Sequence, residues 1–348
     1  MINVGLVGFG FAGRVFHAPI ISAVAGLKLS AILQRSGNDA ALCYPEAQIV
    51  QSMDELLAID EIKLVVIATP NISHHPLAKQ CLLAGRDVVV DKPFTTTYAE
   101  AADLVNLARQ RGRLLTVYQN LRSNGDFRTI RRLVDSGSLG RILLYEAHFD
   151  RYRPQIRPDA WRERTEPGSG VFFDLGVHLM DQAMVLFGPP EAITADIRIE
   201  RANAVVDDAF DVTMHYPRSR VLVRASMTAL APDIRYIVRG ESGAFIKRGI
   251  DPQEEALKRG EVPRDETWGR EAPDKWGILY TPEGNSIHTE PVSTLPGDYR
   301  LFYANVREAI LGKAQIDVTH EQMLNVMYAL ESARESSGRR CTVVFGRG

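Results

Sequence analysis

The stretch that most restricts the fold of this chain is Gly8-Phe9-Gly10-Phe11-Ala12-Gly13, a G-x-G-x-x-G run directly after the apolar segment Ile2–Val7. The first glycine permits a tight turn, the second lets a pyrophosphate approach the backbone, and the third lets the following helix pack close to the strand. A helix beginning there presents free N–H groups and a positive dipole end to phosphate. The context of strand, glycine turn and helix predicts a dinucleotide-binding α/β domain. Pro19 falls inside the helical stretch and predicts a kink or a restart.

Alternation of short apolar runs with helical patterns continues from there. Leu27–Leu33 reads as a second strand, followed by Gln34-Arg35-Ser36. A carboxylate at that place, about 20 residues beyond the glycines, would hold a ribose 2′-hydroxyl; an arginine beside a hydroxyl suits a 2′-phosphate instead. The first acid is Asp39, so the residues favour NADP, with NAD as the alternative. Ser52-Met53-Asp54-Glu55 is a capping box. Leu64–Ala68 reads as a central parallel strand that ends in Thr69-Pro70-Asn71, with His74 and His75 at a helix start, placed as cofactor contact or as polar cap. The next strand, Asp87–Asp91, runs into Lys92-Pro93. Lys92 at a strand's carboxyl edge can favour negative charge on a substrate oxygen. A helix over Thr97–Arg111 and a strand over Leu114–Tyr118 close this domain, and Gln119-Asn120 stand at the same edge as nicotinamide contacts. A boundary is expected after residue 121, giving domains 1–121 and 122–348.

The second part opens with a helix over Arg128–Ser136 and a strand over Ile142–Asp150. A helix then starts in Gly170-Val171-Phe172-Phe173-Asp174-Leu175-Gly176-Val177-His178 and runs to Phe187. Asp174 and His178 lie four apart, one turn on one helical face, where a carboxylate can orient an imidazole and raise its basicity. Helix capping by Asp174 and a metal site built from Asp174, His178 and Asp181 are the competing readings. Five strands follow, over Ala192–Ile199, Phe210–Tyr216, Val221–Met227, Arg235–Val238 and Ala244–Lys247, with short turns between them. They predict an α+β domain on a largely antiparallel sheet, whose open face would be covered by self-association as a homodimer or homotetramer. Asp251–Asp298, carrying Trp268 and Trp276, reads as an irregular excursion that serves as a lid or a subunit contact. Helices over Tyr299–Leu311 and His320–Ser337 and a strand over Cys341–Phe345 end the chain.

Composition narrows the function classes. At 348 residues the chain exceeds one ordinary core, and a net charge of −2 without a basic block argues against nucleic acid. Cys43, Cys81 and Cys341 show neither disulfide nor metal spacing, which fits a reducing compartment. Without an apolar leader or a run of membrane length, a cytoplasmic protein that does not span a membrane is expected.

With these pieces assembled, the chain resembles the Gfo/Idh/MocA oxidoreductase family over essentially its whole length. The resemblance rests on Gly8–Gly13, on Asp91-Lys92-Pro93 where the family usually has Glu-Lys-Pro, and on Gly168-x-Gly170-x-x-x-Asp174-Leu175-Gly176-x-His178. Further stretches are similar to one branch, the NADP-dependent scyllo-inositol dehydrogenase-like proteins: Val15-Phe16-His17-Ala18-Pro19, Lys92-Pro93-Phe94-Thr95, His148–Pro154, Asp251-Pro252-Gln253-Glu254 and Leu295–Tyr299. The match departs at Asn120-Leu121-Arg122-Ser123, where that branch often has Asn-Arg-Arg-Trp. The resemblance implies a Rossmann domain followed by an α+β domain, and hydride exchange with a polyol, cyclitol or sugar, or with an aldose or keto-sugar. A non-catalytic dinucleotide-binding regulator is the alternative from a different class. The resemblance implies that Lys92 contacts nicotinamide and the reacting oxygen, that His178 handles the hydroxyl proton, and that Asp174 supports it. Arg151, Arg153, Trp161 and Arg162 are expected to shape substrate preference.

Overall fold

The structure, a computed structural model, describes residues 1–157, 160, 163–231 and 234–346. The chain forms two compact units, each assembled from three stretches. The first comprises Met1–Asn120, Gln253–Trp268 and Asp298–Leu324; the second comprises Leu121–Pro252, Gly269–Gly297 and Asn325–Gly348. The boundary expected after residue 121 lies beside the change of unit at Asn120/Leu121, and the chain later re-enters the first unit twice.

In the first unit β1 (Ile2–Val7) leads through the glycine run into a π-helical turn at Gly13–His17 and then α1 (Ala18–Ser22). Pro19 sits in the first turn of α1, where a missing N–H costs nothing, so the proline restarts the helix rather than breaking it. There follow β2 (Leu27–Leu33), α2 (Asp39–Cys43), β3 (Gln48–Val50), α3 (Met53–Leu57), β4 (Ile62–Ile67), α4 (His74–Leu83), β5 (Asp87–Val90), α5 (Tyr98–Arg111) and β6 (Leu115–Val117). Ser52 Oγ caps α3 by accepting from the Glu55 N–H, and Thr97 caps α5 in the same way through Glu100. The strands pair in parallel in the order β3-β2-β1-β4-β5-β6. Strand order reverses between β1 and β4, the crevice where such sheets take their ligands. Leu64, Val65, Val66 and Ile67 of β4 are fully buried, as a strand covered on both faces requires.

The second unit begins with α6 (Gly125–Asp135), β7 (Ile142–His148), a π-helical turn at Phe172–Gly176 and α7 (Val177–Phe187). Helix α6 starts three residues earlier than the sequence suggests, because the Asp251 carboxylate accepts from the Gly125 N–H at 2.7 Å and supplies the cap. Strands β8 (Ala192–Arg198), β9 (Ala209–His215), β10 (Arg220–Ser226), β11 (Ile234–Gly240) and β12 (Ala244–Arg248) follow. The chain then returns to the first unit for α8 (Gln253–Lys258).

The expected irregular excursion is corrected here. Besides α8 it contains a hairpin, β13 (Gly277–Glu283) and β14 (Ser286–Val292), that extends the second sheet. The chain ends with α9 (Arg300–Ile310), α10 (His320–Arg339) and β15 (Val343–Val344). The nine strands run in the order β14-β13-β12-β11-β7-β10-β9-β8-β15, and only the β7/β10 pairing is parallel. Burial alternates along β10: Val221, Val223 and Ala225 are buried, while Arg224 on the opposite face reaches Asp211 of β9 at 3.0 Å. One face of the sheet therefore carries the unit's core, which includes the edge-to-face pair Phe172–Phe210.

Candidate active site residues

In the first unit the glycine run fits a dinucleotide for steric reasons visible in the backbone. Gly8 has φ +96°, and a Cβ there would lie 2.6 Å from the Ala68 carbonyl oxygen. A Cβ on Gly13 would stand 2.1 Å from the Gly8 carbonyl oxygen, so the third glycine allows the helix to begin against the turn. A Cβ on Gly10 would meet no atom within 4 Å, which leaves its backbone open to a phosphate. Phe9 is buried edge-on against Tyr44 and offers only backbone, whereas Phe11 is exposed and Ala12 partly so.

At the end of β2, the Gln34 side-chain oxygen accepts from the Ala40 N–H at 2.9 Å and so serves α2, while Arg35 and Ser36 are exposed. Thr69, Pro70 and Asn71 follow β4, and Asn71 is buried. His74 needs correction as a cofactor contact. It is completely buried, with Nδ1 at 2.8 Å from the Pro93 oxygen and Nε2 at 2.9 Å from the Thr69 oxygen. It ties together the turns that follow β4 and β5. Burial pushes its pKa down, opposed by the charge of Asp91 and by these carbonyls. Its neighbour His75 lies at the surface and meets Asp103 at 2.8 Å.

Asp91, Lys92 and Gln119 stand at the carboxyl ends of β5 and β6, so the expected first-unit residues share one edge of one sheet. Asp91 is buried and its Oδ1 accepts from the Lys92 N–H at 2.9 Å. Burial alone would raise its pKa, but the approach of His17, with Lys92 and His74 nearby, holds it down at about 2.

In the second unit Asp174 lies in the π-helical turn and His178 in the first turn of α7. The single regular helix expected over this stretch is therefore interrupted. The π turn inserts an i→i+5 bond just where Asp174 sits, a deviation often found at functional positions. His178 is 4% exposed and Asp174 is partly exposed. The start of this helix is fixed by Asp207, whose carboxylate accepts from the Phe172 N–H at 2.6 Å and whose carbonyl accepts from the Val171 N–H at 2.8 Å. Gly170 is required beside it: at φ +91° a Cβ would lie 2.3 Å from Asp207 Oδ1. Burial raises the Asp207 pKa.

One turn beyond His178, the Asp181 carboxylate takes both arms of the Arg122 guanidinium, and Gln182 bridges the Leu121 carbonyl and the Tyr236 hydroxyl, each at 2.8 Å. Both oxygens of Asp181 are thus engaged by Arg122. Among the described residues no group of three His, Cys, Asp or Glu is arranged to hold a metal ion. Arg151, just past β7, lies over the Phe149 ring at 4.6 Å. Trp161 and Arg162 lie outside the described residues. Among those described, no helix is long and apolar enough to cross a membrane.

Sequence reasoning passed over Asp207, Gln182 and Arg122 as supports of the His178 helix, and the roles of His17 and Tyr303 around Asp91. A polar residue whose partner is distant in sequence leaves no local periodicity, so these pairings carried no local signal.

Comparison with known proteins adds two matches along the chain. Residues 2–119 match the description "Oxidoreductase family, NAD-binding Rossmann fold", and residues 131–344 match "Oxidoreductase family, C-terminal alpha/beta domain", both of the Gfo/Idh/MocA type. The uncharacterized oxidoreductase YdgJ of Escherichia coli is 42% identical over 98% of this chain and 98% of its own. The scyllo-inositol 2-dehydrogenase (NADP(+)) IolW of Bacillus subtilis is 36% identical over 99% of this chain and 96% of its own. The solved structure of the YvaA protein of Bacillus subtilis superposes with a TM-score of 0.95 at 35% identity, covering 99% of both chains.

Proposed function

Because the chain belongs to the Gfo/Idh/MocA oxidoreductase family, we propose that this dehydrogenase is NADP-dependent and acts on a hydroxyl carbon of a polyol, cyclitol or sugar. The observation that carries the cofactor preference is the end of β2: exposed Arg35 and Ser36, with the Gln34 side chain turned to α2. A guanidinium and a hydroxyl bind a 2′-phosphate by charge and fork geometry, and a ribose hydroxyl would have to do without its usual carboxylate. IolW, whose name specifies NADP and scyllo-inositol, supports both halves of the reading.

Gly8, Gly10 and Gly13 would hold the pyrophosphate, and Arg35 with Ser36 the 2′-phosphate. When bound, the nicotinamide supplies the hydride acceptor or donor, chemistry that side chains cannot perform. The chain's own residues then handle the proton and the charge. In the oxidation direction His178 takes the hydroxyl proton at an imidazole nitrogen and in reduction it returns it. Asp174 orients that imidazole or holds a neighbouring hydroxyl. The Lys92 ammonium favours the negative charge that grows on the reacting oxygen. Asp207, Asp181 and Gln182 fix the helix that carries His178.

The departure from the inositol-type pattern at Leu121 and Ser123 favours a second reading of the substrate, an aldose or keto-sugar with the same residues in the same roles. A panel of cyclitols, polyols and sugars with NADP and with NAD, followed by the absorbance of reduced nicotinamide, tests the proposal. Turnover of a cyclitol or sugar with NADP preferred supports it; NAD preferred overturns the cofactor assignment, and silence across the panel overturns the substrate class and raises the regulator reading.

A further inference from the structure

We propose that Tyr303, His17 and Asp91 form a buried positioning relay that holds Lys92 at the carboxyl end of β5. The inference rests on the assignment of Lys92 as the residue facing the reacting oxygen.

All members belong to the first unit. His17, the last residue of the π-helical turn after the glycine run, is completely buried. Its Nδ1 lies 2.6 Å from the Tyr303 hydroxyl on α9, and its Nε2 lies 3.4 Å from Asp91 Oδ1, a pairing distance rather than a tight hydrogen bond. The same Oδ1 accepts the Lys92 N–H at 2.9 Å. An ionised carboxylate only accepts, so in the neutral ring the proton belongs on Nε2, and Nδ1 then accepts from the Tyr303 O–H. The hydrogen bond to the ring therefore runs from phenol to imidazole, and the Nε2–H faces, at 3.4 Å, the carboxylate that holds the amide of Lys92.

Packing leaves the ring little freedom. Its centroid is 4.4 Å from that of Tyr118, which is itself enclosed by Phe302 at 4.9 Å and Tyr303 at 5.5 Å. On the far side of Lys92, His74 grips the Pro93 carbonyl. Lys92 is thus held through the residue before it and the residue after it. Burying an imidazole and a carboxylate costs desolvation that apolar residues of the same volume would avoid, so stability beyond what such residues would give is not the reason for the arrangement. What it supplies is a fixed place for Lys92 relative to the π-helical turn that follows the glycine run.

The lysine itself can be read directly. The chain has eight lysines, few enough for resolved signals after reductive methylation with 13C-formaldehyde, and Lys92 is identified as the signal missing from Lys92→Arg. Tyr303→Phe, His17→Gln and Asp91→Asn are each expected to displace the Lys92 signal while the other lysine signals stay close to the parent's, and in Tyr303→Phe the melting temperature stays close to the parent's as well. Tyr303→Phe combined with Asp91→Asn is expected to move it no further than Asp91→Asn alone, since both act through one carboxylate. An unmoved Lys92 signal in the folded variants overturns the relay, as do fully additive shifts. Should His17→Gln fail to fold, Tyr303→Phe, which removes one hydroxyl, carries the test. Parental turnover in Lys92→Ala would sink the catalytic assignment alone, without altering what the resonance reports.

Discussion

Arg122 and Asp181 form a two-armed ion pair, Nε to Oδ2 at 2.7 Å and Nη2 to Oδ1 at 2.5 Å, with the carboxylate 2% exposed. The pair joins the segment after β6 to α7 one turn beyond His178. Removing the cation strands a buried carboxylate. Arg122→Ala should therefore lose roughly 3–5 kcal/mol of stability, measured by urea denaturation. Arg122→Lys should recover only part of it, because a point charge cannot reproduce the fork. Full recovery by lysine would show that charge alone matters.

Asp91 sets a pH window. Its pKa in the folded chain, about 2, lies below the ordinary carboxylate value. A depressed carboxylate adds stability that is complete above the unfolded pKa, near 4, and is lost as pH falls through the folded one. The stability gap between the parent and Asp91→Asn should be full at neutral pH, on the order of 2 kcal/mol. It should close as pH is lowered from about 4 toward 2. His17, His74 and Lys92 are the facing groups. A gap that stays constant through this window would contradict the pairing.

Arg35→Asp should exchange cofactor preference. Losing a charge-assisted contact and adding a carboxylate near the ribose should weaken NADPH binding roughly tenfold to a hundredfold and strengthen NADH binding. Fluorescence titration of both cofactors checks it; equal, unchanged Kd values would refute the role of Arg35.

Much of the nucleotide-binding unit was legible because its signals are local. The apolar run Ile2–Val7, the spacing of Gly8, Gly10 and Gly13, the Ser52 and Thr97 caps and the β-branched run in β4 each specify their own geometry. Other elements had no such signal. β14 reads Ser286-Ile287-His288-Thr289-Glu290-Pro291-Val292 and is exposed along nearly its whole length. An edge strand of that kind has no buried face to impose alternation, so its hairpin passed for irregular chain. The π turns at Gly13–His17 and Phe172–Gly176 were likewise hidden, since one extra residue per turn hardly disturbs apolar spacing. In the same way the approach of His17 to Tyr303 joins residues 286 positions apart. Asp174 and His178 were proposed from spacing and resemblance, whereas the supports that hold their helix, Asp207 and Arg122, emerge only in the folded chain.

The most direct test of the account is the turnover of His178→Ala and Lys92→Ala on the best substrate of the panel, with NADPH affinity measured by fluorescence on the same preparations. The account predicts that each variant loses at least about a hundredfold in kcat while binding NADPH nearly as the parent does. Parental kcat in either variant would contradict it.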